Sequence, residues 1–316
     1  MELFDVELRY FRNLRNAIGP HVLKLAALCP RDESNTIVVC GSPRSGTTWL
    51  TWILGTIPGS TIVFEPLHPE KVPEVNRLGI GPNPYRLPHE DWPEGEDFIR
   101  RVLTGRVINE WTLSGNSWRF AIATRLIVKF IHANGVLHWM TTRFPIARPV
   151  VIVRHPCAAV SSQVRSGWWK APEHPRHSRF FSIYPEFRHL VDNLQSQLEI
   201  LAARWCMDSY CLISAARPRP WTLVSYEKLL LDGENELVRI FDTWGMAPSD
   251  EAVARLRERS RTTVGQYDPN NAAAQLARWR THLDRKQISR ILDMAHAFGL
   301  DCYDEGPEPG FDKLYL

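Results

Sequence analysis

The run Cys40-Gly41-Ser42-Pro43-Arg44-Ser45-Gly46-Thr47-Thr48-Trp49-Leu50 brings two glycines, several hydroxyls and one guanidinium into a short space. That mixture suits an oxyanion. Glycines let backbone N–H groups close on it, and a helix start beyond them adds unpaired donors and partial positive charge. Gly41 and Gly46 stand where the glycines of G-x-x-x-x-G-K-[ST] stand, but Thr47 holds the lysine position. That lysine normally reaches the β- and γ-phosphates of a nucleoside triphosphate. The loop therefore suits a phosphate group and argues against ordinary ATP or GTP hydrolysis. Arg44 supplies a cation from another direction.

Four further polar residues close apolar runs: Glu65, Lys129, Arg154 and Tyr226. The runs are Ile62-Val63-Phe64 (after the Gly59-Ser60 turn), Arg125 to Lys129, Val150 to Arg154, and Trp221 to Tyr226, each read as a buried strand. Pro66 keeps Glu65 out of helical geometry. Thr36 to Cys40 makes another strand, running into the glycine loop. Helices are expected over 48–54, about 134–144, from His155-Pro156 onward and about 186–214, with a break at Asp268-Pro269-Asn270-Asn271. Alternating strands and helices predict an α/β fold: a P-loop-type three-layer sandwich whose central, mainly parallel sheet carries helices on both faces. Ligands of such sheets lie beyond the carboxyl ends of the strands, so these five tips are expected to share one site.

Pro43-Arg44-Ser45-Gly46-Thr47-Thr48-Trp49 resembles the 5'-phosphosulfate loop of the sulfotransferases that use 3'-phosphoadenosine 5'-phosphosulfate (PAPS). Val153-Arg154-His155-Pro156 through Ser162 resembles that family's 3'-phosphate motif, an arginine after a strand and a serine in the next helix. The resemblance implies that Ser45, Gly46, Thr47 and Thr48 hold the 5'-phosphate. It places Arg154 and Ser162 at the 3'-phosphate; for the cations that sulfuryl transfer needs near the bridging oxygen and sulfuryl group, Arg44 and Lys129 are the choices. It sets Trp49 and Tyr226 near the adenine. Arg280, in Ala277-Arg278-Trp279-Arg280, resembles part of a basic stretch at the 3'-phosphate. The structural alternatives are an ion pair for Arg154, a surface position for Ser162 and core packing for the two aromatics.

The general base stays open. Phe64-Glu65-Pro66-Leu67 resembles the Glu-Pro segment of carbohydrate and some bacterial sulfotransferases, where a glutamate can be the base. The Lys-x-His-x-Pro setting of the cytosolic small-molecule enzymes is only approached, by Lys129-Phe130-Ile131-His132. Glu65 is the first choice, then His132, then His68. Each has a structural alternative: Glu65 could pair with an arginine to hold its loop, and His132 could be a satisfied structural histidine.

The 316 residues, 44% hydrophobic and 23% charged with a net charge of +3, are those of a globular protein that can bury a sizeable core. The charge is too mild to call for nucleic acid. Six cysteines without CxxC or zinc spacing point to a reducing compartment and no structural metal. With no signal peptide and no spanning run, the expected location is cytoplasmic. A single domain over 1–316 is expected. Residues 1–30 would form an amphipathic extension, either packed on the outside or resting on a membrane surface. Residues 66–120 and 167–189 would be acceptor-side loops. The expected reaction moves a sulfuryl group from PAPS to a hydroxyl of a carbohydrate, lipid or small metabolite, leaving adenosine 3',5'-bisphosphate (PAP) and needing no metal. The alternatives are a P-loop nucleotide kinase or NTPase, and a non-catalytic PAPS- or PAP-binding protein on the same scaffold.

Overall fold

The computed structural model describes residues 31–81, 83–114, 117–168, 170–258 and 271–315. The expected extension over 1–30 and most of the break at 268–271 lie outside them. Five strands, β1 (Ile37–Cys40), β2 (Ser60–Phe64), β3 (Arg125–Phe130), β4 (Ala147–Val153) and β5 (Thr222–Ser225), form one sheet in the order β2-β3-β1-β4-β5. Every neighbouring pair is parallel.

The reason is in the side chains. Ile37, Val38, Val39 and Cys40 are all fully buried, so β1 must be covered on both faces. Alternation along the strands sends Val38, Cys40, Val128 and Val151 to one side and Ile37, Val39, Ile127 and Ile152 to the other. The second side is covered by α1 (Thr47–Leu54). On the first side pack α2 (Pro93–Leu103), α3 (Leu137–Arg143), α4 (Pro156–Ser166) and α5 (Gln197–Ile213). Next in the chain, α6 (Tyr226–Leu231) and α7 (Gly233–Asp242) join α1, and α8 (Arg285–Ala297) joins α5. The expected three layers are thus present. Among the described residues no helix is long and apolar enough to cross a membrane.

Local chemistry moves several expected boundaries. The helix expected over about 186–214 is a 3-10 turn, Pro185–Leu190, followed by α5. Ser196 and Glu199 form a reciprocal capping box that starts α5 afresh. The helix expected near 134–144 likewise opens as a 3-10 turn, Asn134–Val136, before α3. Tyr226 is the first residue of α6, because the Ser225 hydroxyl accepts from Lys228 N and caps the helix there. Lys129 lies one residue inside the end of β3. From β1 the chain runs out to β2, returns through β3, then crosses β1 to reach β4 and β5. The reversal opens a crevice over the loop after β1.

Behind that crevice His155 starts α4. Its ring Nδ1 accepts from Cys157 N at 3.2 Å, and Nε2 donates to the Asp304 carbonyl at 2.9 Å. The ring stacks on Trp279 with centroids 4.7 Å apart. A second proton would have to sit on Nδ1, facing an N–H. Burial, with the Arg154 charge adding to it and the Asp304 carbonyl opposing, pushes the group down to about 4. The depressed value means that the unfolded chain takes the proton first, so stability falls as pH drops from 6.5 towards 4. His155→Asn keeps a capping acceptor but cannot titrate. Urea unfolding across this window is expected to show a pH slope shallower by about 1.4 kcal/mol per pH unit in that variant.

Candidate active site

The loop after β1 is built around two places where no side chain fits. A Cβ on Gly41 would lie 2.3 Å from the Ile152 carbonyl oxygen, so the loop rests directly on β4. Gly46 has φ +99° and a Cβ there would meet the Tyr226 ring at 2.6 Å. Gly46 caps α1 without any side-chain bond, which leaves the first-turn N–H groups at Thr47 and Thr48 for a ligand. Arg44 itself is left-handed, φ 69°.

Arg154 follows β4 directly and reaches back to this loop. Its Nη1 donates to the Arg44 carbonyl at 3.1 Å, and its guanidinium stands 4.2 Å over the Tyr226 ring. Arg44 donates from Nε to Ser162 Oγ at 3.0 Å and lies 5.6 Å from the Trp168 ring. Ser162, expected beside Arg154, thus binds the other arginine; eight residues along α4 carry it towards the loop. Desolvation first, then the Arg154 charge, lower Arg44 to about 10, with Tyr226 opposing. Ser45 Oγ and Arg154 Nε are buried without a partner among the described residues. An oxyanion beside either would satisfy that donor and offset the two like charges.

Trp49 meets Tyr226 edge to face, centroids 5.6 Å apart, and donates from Nε1 to the Arg255 carbonyl at 3.2 Å. The Tyr226 hydroxyl accepts from Gln275 Nε2 at 3.0 Å. Both aromatics belong to the core beside α1 and also line the cavity, so packing and ligand contact are not exclusive.

At the other end Glu65 follows β2 with φ 43°, its N–H bonded to the Lys129 carbonyl at 2.9 Å. Its carboxylate is ion-paired with the Lys129 ammonium, which also stands 4.2 Å over the Phe64 ring. The partner is therefore a lysine rather than the arginine of the structural alternative. Burial lowers Lys129 from its ordinary range, the Glu65 charge opposing and Arg44 adding to the effect. His132 bonds through Nδ1 to Asn83 Oδ1 at 2.9 Å. That oxygen only accepts, so Nδ1 carries the ring proton. Desolvation, then the charges of His68, Arg204 and Lys129, push His132 down to about 3. His68, 5.9 Å from the His132 ring and 5.1 Å from Trp111, is also lowered by burial. Both rings are neutral near pH 7.

A cavity of about 790 Å³ joins these groups across the whole sheet, from Glu65 and Lys129 through the loop to Arg154 and Tyr226. From 66–120 it takes His68, Pro69, Glu70, Lys71 and Trp111; from 167–189 it takes Trp168. Elsewhere in the second segment Phe180 and Phe181 are core, and His174, His177 and Arg179 line a separate cavity of about 200 Å³. Arg280 is not among the lining residues. It donates to the Glu305 carbonyl and packs on Trp279. Sequence reasoning reached Lys71 and Trp111 only as part of the 66–120 segment and missed Gln275, which sits outside any motif and reaches the cavity only through the fold. No cluster of three or more potential metal ligands occurs among the described residues.

The profile described as "Sulfotransferase family" matches residues 36–251. Among solved structures, the sulfotransferase domain from the Synechococcus PCC 7002 olefin synthase is 18% identical, with TM-score 0.44, covering 87% of this chain and 96% of its own. The sulfotransferase domain from the curacin biosynthetic pathway is 14% identical, TM-score 0.45, covering 85% and 98%. Mouse sulfotransferase SULT7A1, complexed with PAP, is 14% identical, TM-score 0.42, covering 86% and 87%. No curated protein matches.

The buried pair gives a direct test of its own energetics. Lys129→Met leaves Glu65 charged and unpaired, and is expected to destabilise the protein by about 3–5 kcal/mol. Lys129→Met with Glu65→Gln should cost markedly less, as measured by urea unfolding of both variants.

Proposed function

Because the chain belongs to the sulfotransferase family, we propose that it transfers a sulfuryl group from PAPS to a hydroxyl of a carbohydrate, lipid or small metabolite. The observation that carries this reading is the meeting of Arg44 and Arg154, 110 residues apart in sequence, on one wall of one cavity. A nucleotide phosphorylated at two positions needs two separate cationic holds, and few other ligands do.

In this reading the start of α1, with Ser45, Gly46, Thr47 and Thr48, holds the 5'-phosphate. Arg154 holds the 3'-phosphate with its unpartnered Nε as a further donor, and Trp49 and Tyr226 flank the adenine. Ser162 orients Arg44. Arg44 and Lys129 neutralise charge on the bridging oxygen as the sulfur–oxygen bond to the 5'-phosphate breaks and its electron pair leaves with PAP. Glu65 takes the acceptor's proton while the new oxygen–sulfur bond forms on the opposite side. Glu65, at the strand tip and paired with Lys129, is the first choice for this role, and His132, pushed down to about 3 by burial, is the second. Arg280, tied to Glu305, supports the wall behind His155. The NTPase alternative shares the loop but needs a cation where Thr47 stands. We read 1–316 as a single domain.

Two measurements check this. Arg154→Ala should weaken PAP binding roughly 10- to 100-fold in calorimetry, the worth of a charge-assisted phosphate contact; unchanged affinity would remove the 3'-phosphate site. Glu65→Gln should lower kcat about 10²- to 10⁴-fold in an acceptor screen with labelled PAPS while PAP affinity holds. If His132→Asn shows that loss and Glu65→Gln does not, the histidine is the base.

A further inference from the structure

Asp208, on α5, is a carboxyl only 6% exposed that the transfer chemistry does not use. It lies outside the 790 Å³ cavity. With Pro43 of the phosphate loop it lines a void of about 20 Å³, and with Tyr85 it lines the separate 200 Å³ cavity. Tyr85 donates its hydroxyl to Oδ1 at 3.4 Å. Trp205 borders the same void, and its Nε1–H is buried without a partner among the described residues. One water fits a polar void of this size and would take that donor.

The charged surroundings are mixed. Arg204 and Cys211 flank Asp208 on its own helix, Cys40 faces it from β1, and Tyr85 from the segment before α2. His132 stands across the void. Across the larger cavity stand Glu173, His174, His177 and Arg179.

We propose that Asp208 is a proton-linked part of the nucleotide site: a phosphate settling on the front of the loop drives the carboxylate behind it to the neutral acid, so nucleotide and proton bind together. The inference rests on reading the loop as a phosphate site. Two negative groups on either side of one loop, in a medium far less polarisable than water, do not both stay ionised. The phosphate is anchored by the N–H groups at the start of α1 with the Arg44 charge beside it, so the carboxylate yields. Its proton comes from solvent through the larger cavity, where Glu173, His177 and Arg179 are exposed, and bound nucleotide does not block that route. Burial, tempered by Arg204, Asn134, Ser42 and Tyr85, already holds Asp208 up to about 7, so either form is within reach near neutrality. Above that value the free protein carries the charge and binding must bring in the proton. Affinity therefore falls as pH rises, by up to about tenfold per unit; below it the group is already neutral and adds no dependence.

The test is PAP calorimetry at about pH 8 in two buffers of different ionisation enthalpy. Wild type is expected to take up at least about half a proton more per PAP bound than Asp208→Asn. Infrared difference spectra of the wild type should gain a protonated-carboxyl stretch on adding PAP, a readout that stands even if the variant does not fold. PAP binding with equal proton counts in the two proteins, or with no new band in the wild type, overturns the proposal. A wild type that does not bind PAP at all overturns the nucleotide reading, and this inference with it.

Discussion

Two half-buried guanidinium groups held against one loop are the constraint on which the rest of this molecule depends. Arg44 and Arg154 repel, and desolvation makes the repulsion worse. The protein tolerates them by giving each a fixed neutral partner: Ser162 Oγ for one, the loop carbonyl and the Tyr226 face for the other. The loop itself is closely packed at two points. Gly41 presses on the Ile152 carbonyl and Gly46 on the Tyr226 ring. On the function proposed above, the nucleotide's phosphates bring further opposite charge beside both guanidiniums, in addition to the buried Glu227 carboxylate that already acts on Arg154. Preorganisation of this kind lets binding act on a ligand's charge without the cost of moving the protein.

The acceptor end obeys the opposite logic. Glu65 and Lys129 are of opposite sign and already neutralise each other in a buried setting. A pair of this sort adds little net stability compared with apolar residues. On the function proposed above, this pair beside left-handed backbone at Glu65 would divide as charge develops, the ammonium turning to the departing oxygen and the carboxylate to the incoming proton.

Much of this was legible in the sequence. Buried β-branched runs located the strands, and the polar residues closing them located the site, because a parallel sheet leaves its strand ends on one edge. The glycine loop and the Arg154-to-Ser162 run were legible as motifs because their spacing is local. Partnerships were not. That Ser162 binds Arg44, that Lys129 pairs with Glu65, and that Arg280 turns to Glu305 depend on which elements meet in space, and no local pattern encodes that. The break before α5 was visible as the Ser196–Glu199 capping pair, overridden by the long apolar periodicity around it. Of the aromatic and basic stretch at 167–189, Trp168 reaches the main cavity while Phe180 and Phe181 serve the core, a division periodicity does not reveal.

The cavity runs from one edge of the sheet to the other, with the arginine loop over β1 and β4 and the Glu65–Lys129 pair at β2 and β3. On the function proposed above, nucleotide and acceptor would then lie side by side along one cavity rather than one behind the other.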